Sequence, residues 1–286
     1  MPRETLDDPP YTIDRGEGPL VAAALHDGHA VRPEVAELLA LSDAERRREE
    51  DPFTAPWTEV GDHRIVARRS RFEVDHNRPR DGAVYLTPEQ AWGLEVWRRR
   101  PPEPVVERSL ALWDRFHDEV GAVFRDLAAR HGRFVVFDLH SYNHRRGGPE
   151  AEPDDPRDNP EVNLGTGSLD RERWSAVVER FLVELSRFDF LGRRLDVREN
   201  VRFRGGDFAR WAHGAFPEAA CVLAIEWKKF FMDEWTGEPF PRVTAEIRRA
   251  LAAAAAGVRE ELAGPGRATA LGGAAAAGRA GAAAGP

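Results

Sequence analysis

The run Phe134–Gly148, FVVFDLHSYNHRRGG, sets the tightest limit on what this chain can fold into. Four apolar residues, Phe134 to Phe137, give way abruptly to Asp138, His140, Ser141, Tyr142, Asn143 and His144. This reads as a buried strand whose polar end lies where open α/β sheets place their sites, beyond the C-terminal ends of the strands. A histidine two residues after an aspartate has a carboxylate close by. A metal site uses that, because a ligating imidazole is usually oriented by an outer acceptor. The same pattern also fits a core-strand histidine satisfied by its neighbours.

Further apolar runs and helical patterns set the class. Pro19–His26 (PLVAAALH) and Ala220–Glu226 (ACVLAIE) are apolar runs that end in ionisable residues. His63–Ala67 alternates as a strand does, and Arg71–Val74 is expected to continue extended. Helical spacing runs over Pro33–Leu41, Pro104–Arg130, Leu169–Phe190 and Thr244–Leu262. Ser42 and Glu45 form a capping-box pattern for one more short helix. Strands alternating with long helices predict an α/β fold with a mixed central sheet covered by helices on both faces.

The 286 residues suffice for one large domain with a sizeable core. Residues 1–262 are expected to form it. Residues 263–286 are Gly/Ala-rich, lack the apolar surface to offset ordering entropy, and are expected to be a disordered tail. The acidic, Pro-rich Glu150–Pro160 reads as a surface loop. The formal net charge of −8 argues against a nucleic-acid partner. No run of 18 apolar residues suggests a membrane span, and the N-terminal residues show no signal-peptide core, so a cytoplasmic protein is expected. The single cysteine, Cys221, excludes an internal disulfide or a Cys-based zinc site and is expected to be a core thiol.

Convergence points to chemistry. Three apolar strands end in Leu25-His26, Leu139-His140 and Ile225-Glu226, and the acidic Glu49-Glu50-Asp51 lies between the first two. Two imidazoles and one carboxylate suit a single zinc ion with a position left open. A separate carboxylate can then take a proton from an attacking water.

These residues resemble a known family. FDLHSYN (Phe137–Asn143), VDHNR (Val74–Arg78) and AIEW (Ala224–Trp227) are similar to the ligand strand, the carboxylate-binding segment and the catalytic-glutamate strand of zinc carboxypeptidases. The closer resemblance is to the N-formylglutamate amidohydrolase (deformylase) family. His26-Asp27-Gly28 resembles its H-S-G motif, Arg48–Asp51 its acidic segment, and Ser70–Pro79 (SRFEVDHNRP) its S-R-x-x-x-D-x-N-R-P motif. The matches follow the family's order from about Leu20 to Gly237, and the ten residues at Ser70–Pro79 are the most specific.

The resemblance implies a phosphorylase/hydrolase-like fold related to the zinc carboxypeptidases. It implies His26, Asp51 and His140 as zinc ligands and Glu226 as general base. Asn77 and Arg78 would hold a substrate carboxylate, since the planar guanidinium fork suits bidentate binding. Arg71 would polarise the scissile carbonyl or bind a second carboxylate. The substrate would be a small carboxylated amide, an N-acyl amino acid such as an N-formyl one. Carboxypeptidases use H-x-x-E, whereas the fourth position here is His29. His29 and Glu50 therefore compete with Asp51 as the third ligand. Two other functions fit the same residues. A carboxypeptidase-like peptidase would cleave dipeptides, and a non-catalytic carboxylate-binding protein would hold metal without turnover.

Overall fold

In the computed structural model, which describes residues 9–264, seven strands form one mixed sheet in the order β1-β3-β2-β4-β7-β5-β6. The strands are β1 (Tyr11–Asp14), β2 (Leu20–Ala24), β3 (His63–Ala67), β4 (Phe134–Tyr142), β5 (Val162–Gly165), β6 (Val197–Glu199) and β7 (Ala220–Lys228). The helices are α1 (Pro33–Ala36), α2 (Asp43–Glu49), α3 (Glu103–His131), α4 (Ser175–Arg187), α5 (Asp207–Ala215) and α6 (Pro241–Ala263). β3, β2, β4 and β7 run parallel, so four strand ends open on the same edge. β5 pairs antiparallel with β7 and closes that block.

The period of two along the central strands explains why both faces are covered. Val135, Phe137 and Leu139 of β4, with Leu223 and Ile225 of β7, pack against α4 and α6 through Val177, Phe181, Leu251 and Ala254. Phe134 and Val136, with Val222, face α3 and α5 through Val120, Phe124, Leu127 and Phe208. A strand buried on both faces needs apolar residues at every position, which is why these runs read as continuous rather than alternating. A third, smaller cluster joins Val35, Leu38 and Leu39 to Phe72, Tyr85 and Val96 beside the strand ends. Cys221 is buried within β7. Among the described residues no helix is long and apolar enough to cross a membrane.

Three sequence expectations need correcting. Arg71–Val74 does not extend β3. Ser70 turns the chain, its carbonyl accepting from the Glu73 and Val74 N–H groups at 2.9 and 3.2 Å. The helix expected over Leu169–Phe190 begins only at Ser175, because Asp170 Oδ1 accepts the Arg173 N–H (3.0 Å) and holds a turn before it. The first helix stops at Ala36 rather than Leu41. The last helix runs to Ala263, and the rest of the expected tail, from residue 265, lies outside the described residues.

The segment after β2 passes very close to the end of β3. A Cβ on Gly28 would lie 2.7 Å from the Ala67 carbonyl oxygen and would collide with the Arg68 carbonyl. Glycine is thus demanded there by backbone approach. Gly28→Ala is expected to cost about 1–3 kcal/mol, as overpacking does. Gly214, in α5 with no atom within 4 Å of a built Cβ, is the control, and Gly214→Ala should gain about 0.5–1 kcal/mol. Urea unfolding of the two variants checks both signs.

Candidate metal centre

His26 follows β2, Asp51 follows α2, and His140 lies near the end of β4. They meet at the open edge of the parallel block, where one ligand atom from each lies within 4.8 Å of the others, all three residues buried. Asp51 Oδ2 stands between the rings, 3.3 Å from His26 Nδ1 and 3.0 Å from His140 Nδ1. The Asp51 N–H donates to the His26 carbonyl (2.8 Å), and Ser141 Oγ donates to Asp51 Oδ1 (3.2 Å).

Each ring presents its other nitrogen to a second buried carboxylate. His26 Nε2 lies 2.7 Å from Asp75 Oδ1. His140 Nε2 lies 2.9 Å from Asp138 Oδ1 and 3.4 Å from Asn77 Nδ2. Asp75 favours a proton on His26 Nε2 by hydrogen bonding, and Asp138, whose oxygens make no hydrogen bond, favours one on His140 Nε2 by its charge alone. Two Nδ1 lone pairs and the Asp51 carboxylate then face one another with no donor between them. Three such acceptors in a buried space repel unless a cation or a proton joins them. Two imidazoles and a carboxylate, with outer acceptors on both rings, are a donor set that fits zinc.

The charges respond accordingly. Burial alone would raise the Asp51 pKa, but the adjacent His140 and His26 rings outweigh it and hold the carboxyl far below its ordinary range. Burial would lower that of His140, but the charges of Asp138 and Asp51 dominate and hold it well above the usual imidazole value. Asp75 is kept ionised, against burial, by His26 and Arg71. It also accepts from Arg71 Nη2 (2.9 Å) and from the Tyr85 hydroxyl.

The competing ligands face elsewhere. Glu50 accepts from Ser70 Oγ (2.5 Å) and pairs with His29 Nδ1 (2.5 Å), and Arg46 Nη2 lies 3.2 Å from the other nitrogen of that ring. This closed network engages both groups next to the His26–Asp51–His140 cluster rather than in it.

A cavity of about 330 Å³ opens onto the cluster. Its walls include His26, Asp51, His140, Glu226, Arg71, Asn77 and Arg78. Glu226 faces His140 across the β4–β7 register. Its carboxylate has no hydrogen bond among the described residues, and burial, reinforced by the charges of Asp51 and Asp138, pushes its pKa up to about 8. Asn77 is fixed by its Oδ1, which accepts the Phe208 N–H at the start of α5 (3.0 Å). Arg78 has no carboxylate partner among the described residues, and its guanidinium lies 5.7 and 5.8 Å from the Tyr85 and Trp92 rings.

Two neighbours were not legible as site residues. Trp92, half exposed and with φ of 57°, lies over the Arg71 guanidinium at 4.7 Å. No sequence pattern announces it. Lys229, only 1% exposed, donates from Nζ to the carbonyls of Arg48 (2.6 Å) and Glu50 (2.7 Å) at the end of α2. In the sequence it stands three residues after Glu226, a place that fits a pocket wall and core packing alike.

A family model for N-formylglutamate amidohydrolase matches residues 18–231, about three quarters of the chain. The structure is similar to the crystal structure of an N-formylglutamate amidohydrolase from Ralstonia eutropha, at 18% identity and a TM-score of 0.72. The match covers 89% of this chain and 98% of that one. It is also similar to a gene product of Agrobacterium tumefaciens, at 16% identity and a TM-score of 0.64, over 89% and 96% of the two chains. Identities this low carry the fold. No curated protein matches the sequence.

Metal-free protein titrated with zinc against a chromophoric chelator is expected to take up about one ion per chain. Asp75→Asn should weaken binding roughly 10–100-fold, the cost of losing an outer partner of a ligating histidine. His140→Ala should weaken it further. Wild-type affinity in His140→Ala would remove that residue from the site.

Proposed function

This chain belongs to the N-formylglutamate amidohydrolase family, and from that membership we propose that it hydrolyses the carbon–nitrogen amide bond of a small N-acyl amino acid, with zinc held by His26, Asp51 and His140. The activity is assigned to a single domain, residues 1–262. One observation carries the reading: the converging acceptors share a cavity with a carboxylate and a guanidinium, Glu226 and Arg78, that have no charged partner among the described residues.

Zinc bound there would act as a Lewis acid on the substrate carbonyl and on the attacking water. The chain's own groups do the rest. Glu226 takes a proton from the water at its free carboxylate and returns it to the leaving nitrogen. A pKa raised by burial suits a group that must do both near neutral pH. Arg71, locked to Asp75, presents a fixed positive charge to the oxyanion that forms as the carbonyl is attacked. Arg78 and Asn77 grip the α-carboxylate and so hold the scissile bond in place. The aromatic faces of Tyr85 and Trp92 keep the Arg78 guanidinium in place while leaving its N–H edges free.

Two variants test the assignment, in a screen over N-formyl and N-acetyl amino acids and dipeptides with and without chelator. Glu226→Gln should keep zinc and lose roughly 10²–10⁴-fold in turnover. Near-normal turnover would take Glu226 out of the mechanism. Arg78→Lys keeps charge but loses the fork. Its kcat/KM should fall more for a substrate with a free α-carboxylate than for the matching α-amide. Equal rates for acid and amide in wild type would remove the anchor.

A further inference from the structure

We propose that Trp92 is a positioning residue. Its indole roofs the Arg71 guanidinium, keeps water off that face and so presents an unscreened charge to the reacting carbonyl, and the chain accepts backbone strain to put it there. The proposal rests on the hydrolase reading above and extends it to a residue that acts through Arg71 and not on the substrate.

The backbone is the first support. Trp92 has φ of 57° and ψ of 25°, the left-handed region that a bulky aromatic residue occupies only under strain. Glycine would adopt it freely, as Gly93 adopts φ of 93° one residue later. Burial does not offset the strain, since Trp92 is half exposed. The flanks hold the residue in this state. Gln90 Oε1 accepts the Leu86 and Thr87 N–H groups (2.6 and 3.2 Å), the Gly93 N–H donates to the Pro88 carbonyl (2.7 Å), and Trp97 Nε1 donates to the Tyr85 carbonyl (2.5 Å). Strain fixed in this way gathers at ligand sites and switch segments, and Trp92 lines the cavity that opens onto the cluster.

What the indole covers is the second support. Arg71 Nη2 donates to Asp75 Oδ2 (2.9 Å), Nε and Nη2 reach the Tyr85 hydroxyl (3.2 Å each), and Nη1 donates to the Glu49 carbonyl (3.3 Å). Of the five N–H groups of a guanidinium, one on Nη1 is left without a partner among the described residues. The edge is thus engaged, with one donor to spare for a developing oxyanion. A flat face stays open to water unless something lies over it. The Trp92 ring lies 4.7 Å from the Arg71 guanidinium and 5.8 Å from that of Arg78. Its π face attracts both cations and so steadies two like charges on one wall of the cavity. Tyr85 packs edge-on against the same indole, with centroids 5.8 Å apart, and its hydroxyl donates to Asp75, the partner of Arg71. The roof is therefore fixed to the group it covers. Excluding water lowers local screening, so the Arg71 charge acts more strongly on the oxyanion. That stabilisation exists only in the transition state and so belongs to kcat rather than to KM.

The test uses the zinc-loaded full chain, with the fastest N-formyl or N-acetyl amino acid of the screen above as substrate. Trp92→Gly should lose about tenfold in kcat with KM within about twofold of wild type. Its urea midpoint should hold or rise, because glycine relaxes the left-handed backbone. Trp92→Phe, which keeps a flat π face, should recover kcat to within about threefold of wild type. In an Arg71→Lys background the Trp92→Gly loss should shrink to within about twofold, since residues that act as a unit are not additive. One arm needs no turnover. Exchange of the Arg71 Nε–H, followed by NMR on arginine-labelled protein, should speed up about tenfold or more in Trp92→Gly and return toward wild type in Trp92→Phe. Unchanged kcat with a lowered urea midpoint marks a plain packing residue and overturns the proposal. So does a kcat loss that persists in full on Arg71→Lys, or an Nε–H exchange that Trp92→Gly leaves unchanged. If no N-acyl amino acid is hydrolysed at all, the hydrolase reading falls, and the exchange and unfolding arms decide the roof by themselves.

Discussion

The site depends on one electrostatic constraint: the Asp51 carboxylate sits between two imidazole nitrogens, each ring backed by another carboxylate. Such an arrangement is unstable as a set of bare acceptors and stable around a positive charge. Every larger feature serves to impose it. Strands β2 and β4 are neighbours in parallel register, Ala23 opposite Asp138, so the residues that follow them emerge side by side. β3 lies on the other side of β2, and the turn after it brings Asp75 beneath His26. The double apolar cover of the sheet keeps this edge from shifting. Its cost is that the segments of the cluster must come from parts of the chain far apart in sequence, such as Asp51 and His140, 89 residues apart.

The parts of this plan visible in the sequence are those in which residue type and backbone state agree. β2, β4 and β7 are continuous apolar runs because both faces are buried, and each declares its end with an ionisable residue. The Asp138-x-His140 pairing was readable because both side chains leave the same face of one strand. The four-residue β1 and the short β5 and β6 have too little periodicity to stand out, and α5 spans only nine residues. Arg71–Val74 misled because Phe72 and Val74 alternate as strand residues do, while the chain turns at Ser70, whose carbonyl accepts the Glu73 and Val74 N–H groups and whose hydroxyl donates to distant Glu50. The directions in which Glu50 and Asp51 point could not be read locally either. They turn on a helix end: Glu50 points to His29 and Ser70, and one residue later the chain has rotated to face the histidines.

Electrostatic asymmetry is the other organising theme. The chain is acidic overall, yet Arg78, Arg146 and Arg204, which have no carboxylate partner among the described residues, line one cavity. Such a cavity concentrates anions in proportion to its local rather than its net charge. Attraction of this kind is screened by salt, whereas the buried pairs Arg71–Asp75 and His26–Asp75 are screened far less. Capture of an anionic ligand and retention of the internal geometry therefore answer to ionic strength differently.

The buried Lys229 has a mechanical consequence. Its ammonium spans from the end of β7 to the last carbonyls of α2, the turn that delivers Asp51. Freeing that turn would strand a desolvated positive charge and two carbonyl oxygens at once, a penalty on the order of several kcal/mol. The short, otherwise exposed α2 thus cannot fray away from the sheet as a cheap local event. It opens only with β7, and the proposed ligand and the proposed base belong to one cooperative unit.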